Sequence, residues 1–553
     1  LGSATWSGHT SARFEESMAD VTSPELTAEQ KAMLAEIDAM QGPEGFDVII
    51  VCCSNLAAEK FWQARLTESV AEVTGCASTT VLAVHEDWDG GAGNGLGTLY
   101  AFQKACAKAA ESGHGDLLEK LKGGAAMAIY HTAGKGTRMA PLPGAENNNK
   151  PGVKLSALVK VGGEQRPLTI LEAVVRQTSS YARVRKGRCS VFWGDQVFVP
   201  SCGVQQTDKA ADILAALRPM PTKAEWEAEG LHQYGLIAVA EDGSAMQLEK
   251  VTYDVATRYL PKDVKQVGTS LGSFSLSAAF MAALLDEFAP ELEAKTACLD
   301  SDPHFWMPVT LARQDYLDVM AKKDTTAEEA GAHFDRMASF RAKFAPGGEA
   351  LLGCVDVGQT AYWWDYGRLE LYMNNSLFVT AASASADALR RFLRLDAPGR
   401  QQLSEIAPGA EVDAGAVVLN SKVGGGRIGP SSVLVNVNAP SVDVEGCVLI
   451  NVTSTRPIKG RGGLLYNVVD ESAGEAPLTC DAVRADVFMP GGIKHEMHSS
   501  LATDGGKAWK LTLDGNPHSF EGIYKANQPL DVQECTAAAD AAHKQAKAKL
   551  HGA

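Results

Sequence analysis

The sequence predicts an α/β fold with a mainly parallel sheet, followed by a short β-solenoid. Two patterns carry this reading: β-branched runs that alternate with helical segments from Phe46 onward, and a repeat of about sixteen residues between Val417 and Asn467. With 553 residues the chain exceeds one compact core. Its composition is that of globular proteins, with 45% hydrophobic and 21% charged residues.

In chain order, residues 1–45 read as an N-terminal extension. Within it, SPELTAEQKAMLAEIDAM forms an amphipathic helix, with Ser23 or Thr27 as N-cap and Leu34, Ile37 and Met40 at helical spacing. FDVIIVCCS, TTVLAVHE, AAMAIYHT and CSVFWGDQVFV read as strands. AEKFWQARLTESVAEV, TLYAFQKACAKAAE and LTILEAVVRQ read as the helices between them. In such folds the ligand site lies at the carboxyl ends of the strands. Residues 46–380 are assigned to this unit, and 381–408, containing SADALRRFLRL, to a helical linker.

Residues 409–475 contain the repeat. VVLN, VLVN, VLIN and LLYN end at Asn420, Asn436, Asn451 and Asn467, so branched apolar residues and asparagines recur in register. Stacked solenoid coils with an asparagine ladder on one face explain this, ahead of a β-sandwich with evenly spaced strands. A stack this short has open ends, which the preceding helix, the polar tail or a second copy of the chain would cover. The solenoid is therefore expected to pack on its own catalytic unit or to form a homodimer or larger assembly. Residues 476–553 form a polar extension, and ECTAAADAAHKQAKAKLHG reads as a surface helix.

A net charge of −16 without a basic stripe argues against nucleic acid as a partner. The longest apolar run, Ala278 to Leu285, is too short for membrane insertion. Eleven scattered cysteines, with no CxxC pair, read as reduced thiols of a soluble intracellular protein. Cys52 and Cys53 read as core strand residues. The start at Leu1 without an apolar signal core leaves the plastid stroma, after loss of a leader, or the cytoplasm as the expected compartment.

The strongest chemical signal is TAGKGTRMAPLPGAENNNKPGVKL after the strand AMAIYH. A glycine turn at a strand end lets backbone N–H groups approach phosphate oxygens, and the positive end of a following helix would favour an anion. Arg138 offers a planar fork to phosphate and Lys150 a compact charge. Asp195 and Asp365 each follow aromatic strand residues, a setting in which an aspartate needs a cation or several donors.

GKGTR, PL and KP in this order resemble the signature loop of the sugar-1-phosphate nucleotidyltransferases, also called NDP-sugar pyrophosphorylases. FWGDQ resembles the family segment that presents a Mg²⁺-binding aspartate, here Asp195, and WWDYGRLELYMNN resembles the second metal segment, with Asp365. YGLIAVAEDGSAMQLEK resembles the segment whose Gly235, Glu249 and Lys250 would line the sugar-phosphate pocket. GNGLGTLYAF resembles the nucleotide-base loop, with Gly95, Gly97 and Thr98, but precedes the GxGTR strand. That order is similar to the fucokinase/GDP-fucose pyrophosphorylase branch, without the kinase.

The resemblance implies a Rossmann-like, GT-A-like catalytic unit that joins an NTP and a sugar 1-phosphate with Mg²⁺ as cofactor. It implies nucleotide contacts at Ala133, Gly134, Gly136, Thr137 and Arg138, and catalytic roles for Arg138, Lys150 and Lys250. Ala133 departs from the family's usual glycine, and the Asn-rich loop between Arg138 and Lys150 is longer than usual. A GT-A-type glycosyltransferase and a catalytically silent subunit of a larger assembly share parts of this pattern. Two further motifs read as structure: Asp300-Ser301-Asp302 as loop acids, and His495-Glu496-Met497-His498 as surface.

Overall fold

Four strands on one side of the main sheet run parallel, from the edge inward in the order β2 (Thr80–His85), β1 (Val48–Cys53), β3 (Met127–His131) and β6 (Arg188–Trp193). The computed structural model describes residues 26–259, 264–359, 361–395 and 400–551. All six residues of β1 are buried, because each face of the strand has its own core. Ile49, Val51 and Cys53 pack with Trp62 and Leu66 of the Leu56–Thr74 helix. Val48, Ile50 and Cys52 pack with Leu99 and Phe102 of the Gly93–Glu111 helix. Cys52 and Cys53 are thus core residues, and all eleven cysteines are free.

The parallel arrangement ends at β6. There β11 (Val264–Ser277) runs antiparallel, and it also pairs with β8 (Ala211–Pro219) and β9 (Gly235–Ala240). β10 (Ala245–Glu249) forms a hairpin with β9, and β12 (Leu352–Asp356) lies parallel to β8. The segment CSVFWGDQVFV, expected as one strand, is split at Gly194 and Asp195 into β6 and β7 (Gln196–Val199). β7 pairs antiparallel with β13 (Tyr362–Asp365), while β4 (Lys154–Val161) and β5 (Glu164–Thr169) form a separate hairpin.

The N-terminal helix spans Ala28–Ala39 and is capped by Thr27, whose side chain accepts the Gln30 N–H. Met33 and Ile37, with Met40 at its C-cap, are its buried apolar residues, while Leu34 packs only partly. Ser23, the other expected cap, lies outside the described residues.

From Gln401 the chain alternates between two sheets. One contains Val417–Leu419, Val433–Ala439, Val448–Ser454, Leu464–Asp470 and Val483–Met489. The other contains Glu411–Val412, Gly426–Ile428, Val442–Glu445, Ile458–Arg461 and Leu478–Thr479. Successive strands within each pair in parallel, and parallel pairing runs on to Val483–Ala485. The four aligned asparagines have φ between +47° and +56°, a region that asparagine enters more readily than most residues. Their amides form a ladder, from Asn420 to Asn436 (3.5 Å), Asn436 to Asn451 (2.5 Å) and Asn451 to Asn467 (2.6 Å).

At the end of the first sheet, Val483–Met489 pairs antiparallel with Ile493–Ser499. The final helix, Val532–His551, is a surface helix as expected, with one face exposed and the other laid on the stack. Its alanines at 538, 539, 542 and 546 let it lie close against Val469 and Phe488. His543 is 4% exposed, with its ring nitrogens 3.1 Å from Asn451 Nδ2 and 2.9 Å from Thr453 Oγ1. The stack also packs on the first half of the chain: Tyr466 accepts the Lys154 N–H (2.8 Å) and donates to Glu146 (2.5 Å). Among the described residues, no helix is long and apolar enough to cross a membrane.

Candidate functional site

The glycine turn leaves β3 at His131. Gly134 and Gly136 have φ of +127° and +63°, values that side-chain-bearing residues rarely adopt. Ala133 and Gly134 are exposed. The expected helix behind the turn is absent: only a three-residue 3₁₀ turn, Thr137–Met139, follows. So few aligned peptides supply little macrodipole, and the positive charge at this turn comes from side chains. Lys150 opens a second 3₁₀ turn, and its stem lies against Gly136, where a Cβ would sit 3.1 Å from Lys150 Cγ and Cδ.

Both aspartates reach the same place. Asp195 follows β6 and Gly194, whose N–H donates to the His131 carbonyl at 3.1 Å. The β7–β13 pairing sets Asp365 opposite Gln196, and the Tyr366 N–H donates to the Asp195 carbonyl at 3.4 Å. Lys150 Nζ lies 2.5 Å from Asp195 Oδ2. The Gly367 N–H donates to Asp365 Oδ1 at 2.6 Å. A Cβ on Gly367 would lie 2.9 Å from that oxygen and 3.9 Å from Arg138 Nη2.

Burial raises the pKa of the Asp365 carboxyl, and the like charge of Asp195 raises it further. The Gly367 N–H, Lys150 and Arg138 act in the opposite direction. Two carboxylates close enough to repel each other, beside Lys150 and Arg138, are of a kind that could hold a hard divalent cation. Among the described residues, no group of three or more acidic, histidine or cysteine side chains is arranged to hold a metal by itself.

The GNGLG segment is the first turn of a helix and not a loop, for the helix begins at Gly93. The Gly95 N–H donates to the Leu299 carbonyl (2.9 Å), and a Cβ there would stand 2.8 Å from that oxygen. Thr98 is fully buried and donates to the Asn94 carbonyl (2.7 Å). Gly95 therefore serves an internal contact with Leu299–Asp300, and Thr98 bonds within its own helix. Gly97 faces Glu86, whose Oε2 would be 3.0 Å from a Cβ, and the His131 ring. His131 was not singled out in the sequence, although it is the last strand residue before the glycine turn. Its Nε2 lies 2.9 Å from Thr98 Oγ1, its ring 5.5 Å from that of Trp193, and burial lowers its pKa to about 4, keeping it neutral.

Gly235, Glu249 and Lys250 form a separate group on the β9–β10 hairpin. Gly235 pairs with Glu249, and a Cβ on Gly235 would lie 3.0 Å from Glu249 Oε2. Lys250 has φ +50°, is half-exposed, and holds Nζ 3.6 Å from Glu249 Oε1. The Asp300–Asp302 segment is not a plain acidic loop. Asp300 Oδ1 accepts the Asn94 N–H at 2.9 Å, and Asp302 opens a π-type turn, Asp302–Trp306. Burial, then the charge of Glu249, pushes the Asp302 carboxyl up to about 7.

Sequence reasoning also missed the part taken by the C-terminal extension. Gly505 is pressed on the Thr137 carbonyl, and a Cβ on Gly506 would be 3.9 Å from Arg138 Cγ. Lys135 Nζ lies 5.3 Å from the centre of the Tyr524 ring. Asn148 donates to the Tyr524 carbonyl (2.7 Å), and Asn527 donates to the Gly144 carbonyl (2.8 Å). The Asn-rich loop thus owes its length to a docking role. No composition or spacing signal marked it. No protein-family model matches the chain, and no curated protein is significantly similar to it.

Proposed function

We propose that this protein is a Mg²⁺-dependent sugar-1-phosphate nucleotidyltransferase, built as a GT-A-like catalytic unit followed by a short β-solenoid. The observation that carries the reading is the convergence of Arg138, Lys150, Asp195 and Asp365 beside a glycine turn at the carboxyl end of a parallel sheet. In this reaction an oxygen of the sugar 1-phosphate attacks the α-phosphorus of an NTP. A new P–O bond forms, the α–β bridge breaks, and pyrophosphate leaves with the electron pair.

The nucleophile is already an anion, so no general base is needed, and the protein's task is alignment and charge neutralisation. Arg138 and the backbone of residues 134–137 would hold the departing pyrophosphate. Lys150, seated between the turn and Asp195, would position the reacting phosphate, while Gly235, Glu249 and Lys250 would hold the sugar phosphate. Asp195 and Asp365 would hold Mg²⁺, which supplies positive charge at the α-phosphate.

The test is to incubate purified protein with Mg²⁺, a panel of NTPs and sugar 1-phosphates, and to measure pyrophosphate. Release that requires both substrates supports the reading. In a parallel incubation with NDP-sugars, their consumption without pyrophosphate would make it a glycosyltransferase instead, and inactivity towards every pair would sink the reading.

A further inference from the structure

The segment His495-Glu496-Met497-His498 lies where the C-terminal extension turns back on the strand Ile493–Ser499. On that strand His495 and Met497 share one face, two residues apart. Met497 is buried in the same apolar cluster as Phe520 and Ile523 of the helix Phe520–Asn527. His518 stands two residues before Phe520, and its ring centre lies 5.0 Å from that of His495, with the ring planes at 81°. A second contact holds this placement. The His498 N–H donates to Asn516 Oδ1 (2.5 Å), and Asn516 Nδ2 donates to the His498 carbonyl (2.9 Å). Two hydrogen bonds to one amide fix the strand against the residues just before His518. His518 is exposed and His495 half-buried, so a dissolved ion has access to both rings.

We infer that His495 and His518 form a two-histidine site for a divalent transition-metal ion of the Zn²⁺ and Ni²⁺ class. Neutral imidazole suits such ions, whereas Mg²⁺ takes oxygen ligands. Two imidazoles that share one ion at ~2.0–2.1 Å put their ring centres about 5 Å apart, the separation seen between these two. Ring packing alone permits a wider range, about 4.5–7 Å. Among the described residues no third acidic, histidine or cysteine side chain completes the pair, so the ion keeps water ligands and exchanges readily. The bound ion acts as a clip. It ties the strand Ile493–Ser499 to the start of the helix whose Tyr524 carbonyl accepts from Asn148 and whose Asn527 donates to the Gly144 carbonyl. Through those bonds it stiffens the loop between Arg138 and Lys150. The site shares no residue with Asp195 and Asp365, and it does not depend on the nucleotidyltransferase reading.

The experiment is calorimetric titration of the untagged, metal-free full chain with Ni²⁺, in a large excess of Mg²⁺ that fills sites built of oxygen. The expected result is one Ni²⁺ ion per chain, bound in the micromolar range. His495→Gln and His518→Gln should each weaken that binding at least tenfold. His498→Gln, on the opposite face of the strand, should leave it unchanged. Hydrogen exchange of residues 508–527 should slow when Ni²⁺ is added to the wild type and stay as it was in His518→Gln. Thermal melting without metal confirms that each variant is folded, and His518, being exposed, can be replaced without emptying the core. Failure of Ni²⁺ to bind, or wild-type affinity in either His495→Gln or His518→Gln, overturns the site. Equal loss in His498→Gln overturns the choice of this pair. Binding that leaves hydrogen exchange unchanged overturns the clip while the site stands.

Discussion

The parallel stack and the proposed phosphate cradle are built by opposite rules. In the stack, each strand pairs with a near copy of itself, and Val433, Val435, Val448, Ile450, Leu464 and Tyr466 are all buried without a charge among them. The cradle gathers Arg138, Lys150, Asp195 and Asp365 from four separate segments, and holds a carboxyl group whose pKa is raised by burial and by a like-charged neighbour. The stack is arranged to lower free energy. The cradle keeps a buried carboxyl group beside a like-charged neighbour, and functional sites often carry such a cost.

The sharpest way to break this comparison is to remove one cradle carboxylate. Asp195→Ala or Asp365→Asn should lower pyrophosphate release by on the order of 10²–10³-fold or more. The melting temperature of Asp365→Asn should hold or rise, because an amide at that buried position has no charge to desolvate. A fall of several degrees in melting together with activity would place Asp365 among the structural residues.

Next in size is a change in the stack. Ile450→Ala empties a fully buried position and should cost about 2–5 kcal/mol of stability. Turnover per folded molecule should stay at the wild-type value, as judged by activity normalised to the folded fraction. Loss of activity in fully folded protein would show that the two regions are coupled.

A third, smaller effect tests the C-terminal brace. Gly505→Val drives a side chain into the Thr137 carbonyl and towards Ala140 Cβ, 3.3 Å away. The shift should raise the Michaelis constant for NTP roughly tenfold, as a displacement of about an ångström in positioned groups can, and leave that for sugar 1-phosphate unchanged. Equal changes in both constants would point to general loosening instead.

The last effect, small near neutral pH, is one of pH. Burial, followed by the nearby charges of Lys547 and Lys154, lowers the His543 pKa to about 3 from an ordinary 6.5. The folded state therefore binds no proton there until well below the pH at which the unfolded chain does. Its contribution is complete above about pH 6.5 and is lost as the pH falls towards 3, at about 1.4 kcal/mol per unit. His543→Gln should flatten the decline in melting temperature between pH 7 and 5 without changing turnover. An unaltered slope would mean that His543 is protonated in the folded protein.

Much of the fold was legible because its signals are local. The apolar run of β1 and the asparagines at 420, 436, 451 and 467 each identify themselves within a few residues, and Thr27 was one of two N-cap candidates. The turn to antiparallel pairing at β11 was not legible, since β-branched content marks a strand and leaves its direction open. The helix expected behind Arg138 failed for a related reason. A glycine turn after a strand is compatible with either a helix or a 3₁₀ turn, and Pro141 and Pro143 in the following residues, which bring no N–H donors, accompany a chain that never settles into a long helix.

For the site, Asp195, Asp365, Arg138 and Lys150 could be chosen from the sequence, because each stands in a distinctive segment. His131 and Gly505 could not. A histidine at a strand end and a glycine in a polar tail each have ordinary explanations until their neighbours are known.

By itself, then, the sequence determined the alternation of strand and helix in the first half, the stacked parallel strands of the second, and which charged residues were candidates for phosphate chemistry. Hydrophobic period and turn chemistry act over a few residues, so they are written locally. Only the tertiary structure decided that Lys150 meets Asp195, that Gly505 rests on Thr137, and that the Asp302–Trp306 turn packs on β10. Those contacts join residues far apart in the chain, and they follow from strand order and from how the C-terminal segment returns over the glycine turn. No local propensity encodes either.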